Sequence, residues 1–172
     1  MKIAIVGAHP GTRTEAPYDD PRWQIWSLSA FNFGKLPRHD LWFELHDPAF
    51  INTGFPEFYD WLAEQPAVMT REPVPDWRGA TVYPKDDMLA KYGPYFFTSS
   101  VSWMMAYALS KWPEAIGLWG IEMTAADEWG YQRAGAQHFM QLAKHSGVEV
   151  VIPSSSHLLI PPPLYGWEYG GP

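Results

Sequence analysis

The feature that most constrains this chain is its start, where Lys2 is followed by the unbroken apolar run Ile3-Ala4-Ile5-Val6 and then Gly7-Ala8-His9-Pro10-Gly11. A strand wetted on one face alternates apolar and polar residues, so a continuous run marks a strand covered on both faces. Strands of that kind belong to parallel sheets with helices above and below. Glycines at positions 7 and 11 let the backbone turn tightly where the strand ends. The opening therefore predicts an α/β fold with a nucleotide-type binding crevice at the carboxyl end of its first strand.

The rest of the chain follows the same alternation of elements. Residues 23–28, 41–45, 67–70, 115–120 and 148–152 read as further strands, the second of these ending at His46-Asp47-Pro48. Helical patterns cover 55–65, about 100–111 and roughly 127–145, the last stopped by Gly147. Segments 10–21 and 71–94 are punctuated by proline and glycine and read as loops, the second long enough to act as a lid. Strand, helix, strand order in the second half requires parallel crossovers, hence a doubly wound, mostly parallel sheet flanked by helices. Residues 1–159 form one domain, and 160–172 form an extended aromatic and proline-rich tail that docks on its own domain or on a neighbouring subunit.

Composition narrows the partners. A length of 172 residues fits one domain, and a hydrophobic fraction of 47% supplies its core. There is no cysteine, which removes disulfides and thiolate zinc sites and fits a cytoplasmic protein. No apolar run reaches about 20 residues, so no membrane span is expected, and the strand pattern at the start gives no expectation of a leader. The net charge of −7, with no cluster of Lys or Arg, argues against duplex nucleic acid, whose binding depends on neutralising several phosphates. A small anion held by backbone N–H groups is easier to accommodate. Ten tryptophans point to core packing and to subunit contact, with a homodimer as the expected assembly.

In open parallel sheets the ligand lies beyond the carboxyl ends of the strands, so residues just after each strand are the candidates. Gly7, Ala8, His9, Pro10, Gly11, Thr12 and Arg13 follow the first strand. Two glycines permit close backbone approach and Thr12 and Arg13 can meet a phosphate, although the segment reads equally well as an ordinary tight turn. Thr98-Ser99-Ser100 opens a helix that is apolar nearly all round, so its free N–H groups form either an anion seat or a plain N-cap. Gly120 and Glu122 end a strand, and Glu122 suits a ribose hydroxyl or a catalytic proton. His9 and His157 are the candidate acid–base groups, because imidazole titrates near neutral pH. Glu44, His46 and Asp47, with His157, are metal-type donors whose spacing matches no firm signature, so no metal site is assigned.

These motifs resemble a group of small phage-encoded Rossmann-like proteins, distantly similar to the MptE-like pyrophosphokinase family and to bacterial sialyltransferases of the Cst type. Those families carry Gly-Asn-Gly-Pro-Ser after the first strand, where this chain has Gly7-Ala8-His9-Pro10-Gly11. Their Thr-Ser-Gly before a buried helix is matched by Thr98-Ser99-Ser100, and their Gly-Val/Ile-Asp by Gly120-Ile121-Glu122. A Glu-Tyr-x-Tyr-Gln-Arg run of the phage-type proteins is matched by Glu128-Trp129-Gly130-Tyr131-Gln132-Arg133. Ala8 replaces an asparagine, Ser100 a glycine and Glu122 an aspartate. The sialyltransferase histidine has no matching motif, His157 lying in a broadly similar place.

The resemblance implies a nucleotide or nucleotide-sugar, with Mg2+ as a further candidate, held between the first turn and the helix start. Arg13 or Arg133 would neutralise phosphate and Tyr131 would join the ligand site. The expected function is a transferase of glycosyl or pyrophosphoryl type. The competing readings are a non-catalytic binder that sequesters a nucleotide, and an interaction or assembly protein on the same scaffold.

Overall fold

The computed structural model describes residues 1–125, 128–161 and Gly166. In chain order the elements are β1 (Lys2–Val6), α1 (Pro10–Arg13), β2 (Trp23–Leu28), β3 (Leu41–Glu44), α2 (Pro48–Gly54), α3 (Pro56–Glu64), β4 (Val68–Thr70), β5 (Ala80–Val82), α4 (Lys85–Tyr92), α5 (Ser100–Ser110), β6 (Ala115–Trp119), α6 (Arg133–His145) and β7 (Glu149–Val151). Short 3-10 turns lie at Ala30–Asn32 and His157–Leu159, and a π-turn at Glu128–Gln132 leads into α6.

All seven strands form one sheet in the order β5-β4-β3-β2-β1-β6-β7, and every neighbouring pair is parallel. The chain lays strands outward from β1 to β5, then crosses back to place β6 on the other side of β1. Strand order therefore reverses between β1 and β6, the position at which open α/β sheets leave a crevice. The expected α/β, Rossmann-like doubly wound fold is the one observed.

The first strand does what its apolar run implies. Ile3, Ala4, Ile5 and Val6 are all fully buried. Ile3 and Ile5 pack with Val101, Met104, Met105 and Ala108 of α5 and with Phe139 and Ala143 of α6, on one face. Ala4 and Val6 point the other way, into a cluster with Trp23, Ile25 and Trp119. Helix α5 is buried on most sides because it lies between the sheet and its neighbouring helices; burying Met104 and Met105 contributes about 1.5–3 kcal/mol each. On the second face α2 and α3 close a cluster around Trp42, Phe58, Leu62 and Trp77. Half of the ten tryptophans are core material: Trp23, Trp26, Trp42, Trp77 and Trp119 are all buried.

Three sequence expectations are corrected. Segment 71–94 is no long lid, since it contains β5 and α4. Its prolines and glycines sit at the joints, while β5 has only three residues and α4 buries only Met88, too little apolar signal to show as periodicity. β3 stops at Glu44, before Pro48, and the proline instead starts α2, with the Asp47 carboxylate accepting from Ala49 N at 2.8 Å, the usual place for proline in a first turn. The last long helix begins as a π-turn, with α6 proper starting at Arg133; Asp127 lies outside the described residues. Most of the expected tail, 162–165 and 167–172, also lies outside them.

Gly120 adopts φ +64°, and a Cβ on it would stand 2.4 Å from the Gly7 carbonyl oxygen. Gly147 has φ +79° with open space around it. Both positions carry the left-handed penalty, about 1–2 kcal/mol, but only the first adds a backbone clash. Gly120→Ala is therefore expected to cost at least about 2 kcal/mol more than Gly147→Ala, read from urea midpoints at equal m-values.

Candidate functional site

The crevice at the switch point is built on a contact between two glycines. A Cβ on Gly7 would lie 2.3 Å from the Gly120 carbonyl oxygen, so neither turn has room for a side chain. Gly7 N–H donates to the Trp119 carbonyl at 2.8 Å and His9 N–H to the Gly120 carbonyl at 2.9 Å. Gly120 N–H in turn donates to Thr12 Oγ1 at 2.7 Å. The Thr12 hydroxyl itself donates to Glu122 Oε1 at 3.2 Å, which locks the first turn to the end of β6.

A second set of buried bonds supports the same turn from below. Asn32, fully buried, donates its amide to the Val6 carbonyl and to Ser27 Oγ, both at 3.0 Å. Arg13 donates to Asn32 Oδ1 and to the Ala8 carbonyl, each at 3.3 Å. Arg13 therefore braces the turn instead of facing a ligand.

At the other wall the Ser99 hydroxyl caps α5 by accepting from Ser102 N at 3.2 Å. Thr98 Oγ1 donates to the Gln132 carbonyl at 3.4 Å, so the π-turn is held against the helix start. Gly135 makes that approach possible, because a Cβ there would lie 2.2 Å from Thr98 Oγ1. With Ser99 serving as the cap, the N–H groups of Ser100 and Val101 have no hydrogen-bond acceptor within the helix. They sit at the positive end of an eleven-residue helix, where an anion is stabilised.

Both walls line one cleft of about 870 Å³, which takes in Gly7, Ala8, His9, Pro10, Thr98, Ser99, Ser100, Gly120 and Glu122. This is the size of a pocket for a substantial organic ligand. Ser29 and Met123, both on its lining, adopt φ +79° and +51° without being glycine. Such strain costs on the order of 1–3 kcal/mol and is held only where surrounding structure insists on it. Lys35 also lines the cleft and brings a cation to it.

Hydrogen bonds sort the histidines by chemistry. His9 Nδ1 accepts from Gly11 N–H at 3.2 Å, so the neutral ring carries its proton on Nε2 and is a donor. His46 and His157 are the reverse. His157 sets its N–H (2.7 Å) and Nδ1 (2.9 Å) on Glu122 Oε2. His46 sets its N–H (3.0 Å) and Nδ1 (2.6 Å) on Glu44 Oε1. Each carboxylate is buried and orients its ring, so that in the neutral imidazole the proton sits on Nδ1 and Nε2 is the acceptor. Burial pushes the Glu122 carboxyl up, but the bonds from His157 and Thr12 outweigh it and hold it below the usual carboxylate value. The bond to Glu44 raises His46 above the usual imidazole value, against a smaller opposing effect of burial.

The structure thus gathers one part of the expected set and disperses another. Gly11 and Thr12 belong to α1 and stand outside the cleft lining, Thr12 being buried as the link to Glu122. Tyr131 is exposed and also outside it. Arg133 is buried and donates to the carbonyls of His157 and Ile160, which makes it a clamp on the segment after β7. His157 rests on Glu122 but is not among the lining residues, whereas His46 is. Glu122 has both oxygens engaged, so it positions its neighbours and has little capacity left for a ribose. Lys35, Ser29 and Phe31 were missed, because they follow β2 in a stretch whose only local signal is Gly34. Among the described residues no group of three or more His, Asp or Glu is arranged to hold a metal, and no helix is long and apolar enough to cross a membrane.

No family model and no curated protein matches the chain. A solved structure of the sialyltransferase CstII from Campylobacter jejuni, in complex with a substrate analogue, CMP-3FNeuAc, matches with a TM-score of 0.56. Identity is 14%, over 88% of this chain and 80% of that one. The two chains share a Rossmann-like α/β fold.

Because the folded protein holds the His46 proton more tightly than an unfolded chain does, the Glu44–His46 pair stabilises the fold below the ordinary imidazole value of 6.5. That contribution is lost as pH rises through the raised value. The stability gap between wild type and His46→Ala should be wider at about pH 6 than at about pH 9. In an NMR titration Glu44→Gln should return the His46 ring toward 6.5.

Proposed function

We propose that the protein is a glycosyltransferase-like enzyme that binds a nucleotide-sugar in the switch-point cleft. The observation that carries this reading is the meeting of two backbone turns, 7–10 and 98–100, on one cleft at the end of a parallel sheet. Support also comes from the likeness in fold to a sialyltransferase whose structure contains a CMP-sugar analogue. The phosphate sits on the N–H groups of Ser100 and Val101, with Lys35 supplying the cation that Arg13 and Arg133 do not. His9 offers its Nε2 proton to a phosphate or ribose oxygen. Charge that builds on the leaving phosphate then meets donors already in place, so little reorganisation is needed as the bond breaks. Glu122 and His157 hold the cleft floor in position.

Thermal shift against CMP, UDP and GDP sugars, their nucleotides, nucleoside triphosphates and NAD tests the reading. A ligand at about 100 times its dissociation constant adds about 2.7 kcal/mol to stability. A preference for nucleotide-sugars supports glycosyl transfer, a preference for triphosphates would move the reading to pyrophosphoryl transfer, and no response to any nucleotide would end it. Ser100→Pro gives a sharper check. Proline is tolerated at the first helical position, and Ser99 already has the extended conformation that precedes proline. The variant should fold normally yet bind the nucleotide about tenfold more weakly, having lost one charge-assisted hydrogen bond.

A further inference from the structure

A second hollow of about 250 Å³ opens beside the main cleft, and the two share Ser29, Phe31 and His46. Phe43, Phe50 and Phe55 supply most of the aromatic wall, beside Glu44, Ile51 and Ser100. Ring centroids run in a chain from Phe31 to Phe55 (6.4 Å), Phe55 to Phe50 (6.5 Å) and Phe50 to His46 (6.4 Å). Phe31 and Phe50 are 65% and 59% exposed, an unusual state for large rings on the rim of a cavity. Apolar walls around one oriented polar group are the makings of a small-molecule subsite. The polar group here is His46, whose side chain is 61% exposed while its partner Glu44 is only 3% exposed.

We infer that this hollow is the acceptor subsite, taking a glycoside whose pyranose ring lies on Phe31 and Phe50 and whose hydroxyl gives its proton to His46 Nε2. The inference rests on the nucleotide-sugar reading above. In the step, the acceptor oxygen forms a bond to the anomeric carbon as its proton passes to His46. The bond from that carbon to the phosphate oxygen breaks, its electron pair leaves on the nucleotide phosphate, and His46 later returns the proton to water. His9 cannot serve as this base, since its Nε2 already carries a proton. His157 is outside the lining of both cavities. Glu44 is a positioning residue, fixing the ring so that Nε2 is the free nitrogen.

The test uses the full chain with ring-labelled histidine, loaded first with CMP-3FNeuAc and then with phenyl β-D-galactoside. The galactoside should shift the His46 ring and not that of His157, and Phe50→Ala should weaken its binding at least about tenfold while CMP-3FNeuAc binding stays constant. With CMP-NeuAc as donor, His46→Asn keeps an amide donor toward Glu44 and should lower transfer at least about 100-fold, with galactoside binding retained. Glu44→Gln should lower kcat with little change in KM and flatten the pH profile. A galactoside that leaves His46 untouched, a His46→Asn variant with wild-type transfer, or a wild type that binds both ligands and transfers nothing overturns the inference. Failure of CMP-3FNeuAc to bind is a failure of the nucleotide reading, whereas its binding beside a silent hollow is a failure of the acceptor subsite alone.

Discussion

The carboxyl ends of β1 and β6 are pressed together through two glycines, and the rest of the site is arranged around that contact. With backbone against backbone, the Thr12 hydroxyl can reach Gly120 N–H and Glu122 at once. Glu122 is then fixed in turn for His157, and through it for the segment after β7. One steric constraint so becomes a relay of hydrogen bonds that spans three strands. Because Thr12 and Glu122 are buried, losing either leaves its neighbours unsatisfied, and the cost spreads along the relay.

The two cleft walls are held by different means, which bears on how the site works. The 7–10 wall is braced by a buried polar set of Asn32, Ser27 and Arg13. The 98–100 wall depends on a helix cap and on the close approach of α6 at Gly135. The first is fixed to the sheet itself, the second to helices that pack over it. A wall fixed to the sheet facing a wall carried by helices would let the cleft hold one part of a ligand firmly and adapt to another.

Much of the fold was legible because its signals are physical necessities. A strand covered on both faces must be apolar throughout, and residues 3–6 are; a helix inside the protein must be apolar nearly all round, and residues 101–109 are. The carboxyl-end rule then placed Gly7, Thr98 and Gly120 near one another without coordinates. Segment 71–94 was opaque because β5 and α4 bury so little. The site was half legible for a related reason. Sequence gives the position of an ionisable group along the chain but not the direction it faces, so Arg13 and Arg133 were read as phosphate partners when they brace backbone carbonyls. Glu44 and His46 have donors of the metal-binding type without a metal spacing, and only the structure shows that a buried carboxylate two residues before a histidine orients its ring.

Both margins of the sheet, β5 and β7, are only three residues long. A margin that short offers another chain few free backbone groups to pair with, and α4 turns away immediately after β5. The sheet therefore has little means of extending itself from one molecule into the next. Any association between copies would have to use side-chain surfaces, which leaves the cleft end of the sheet free to remain a mouth open to small molecules.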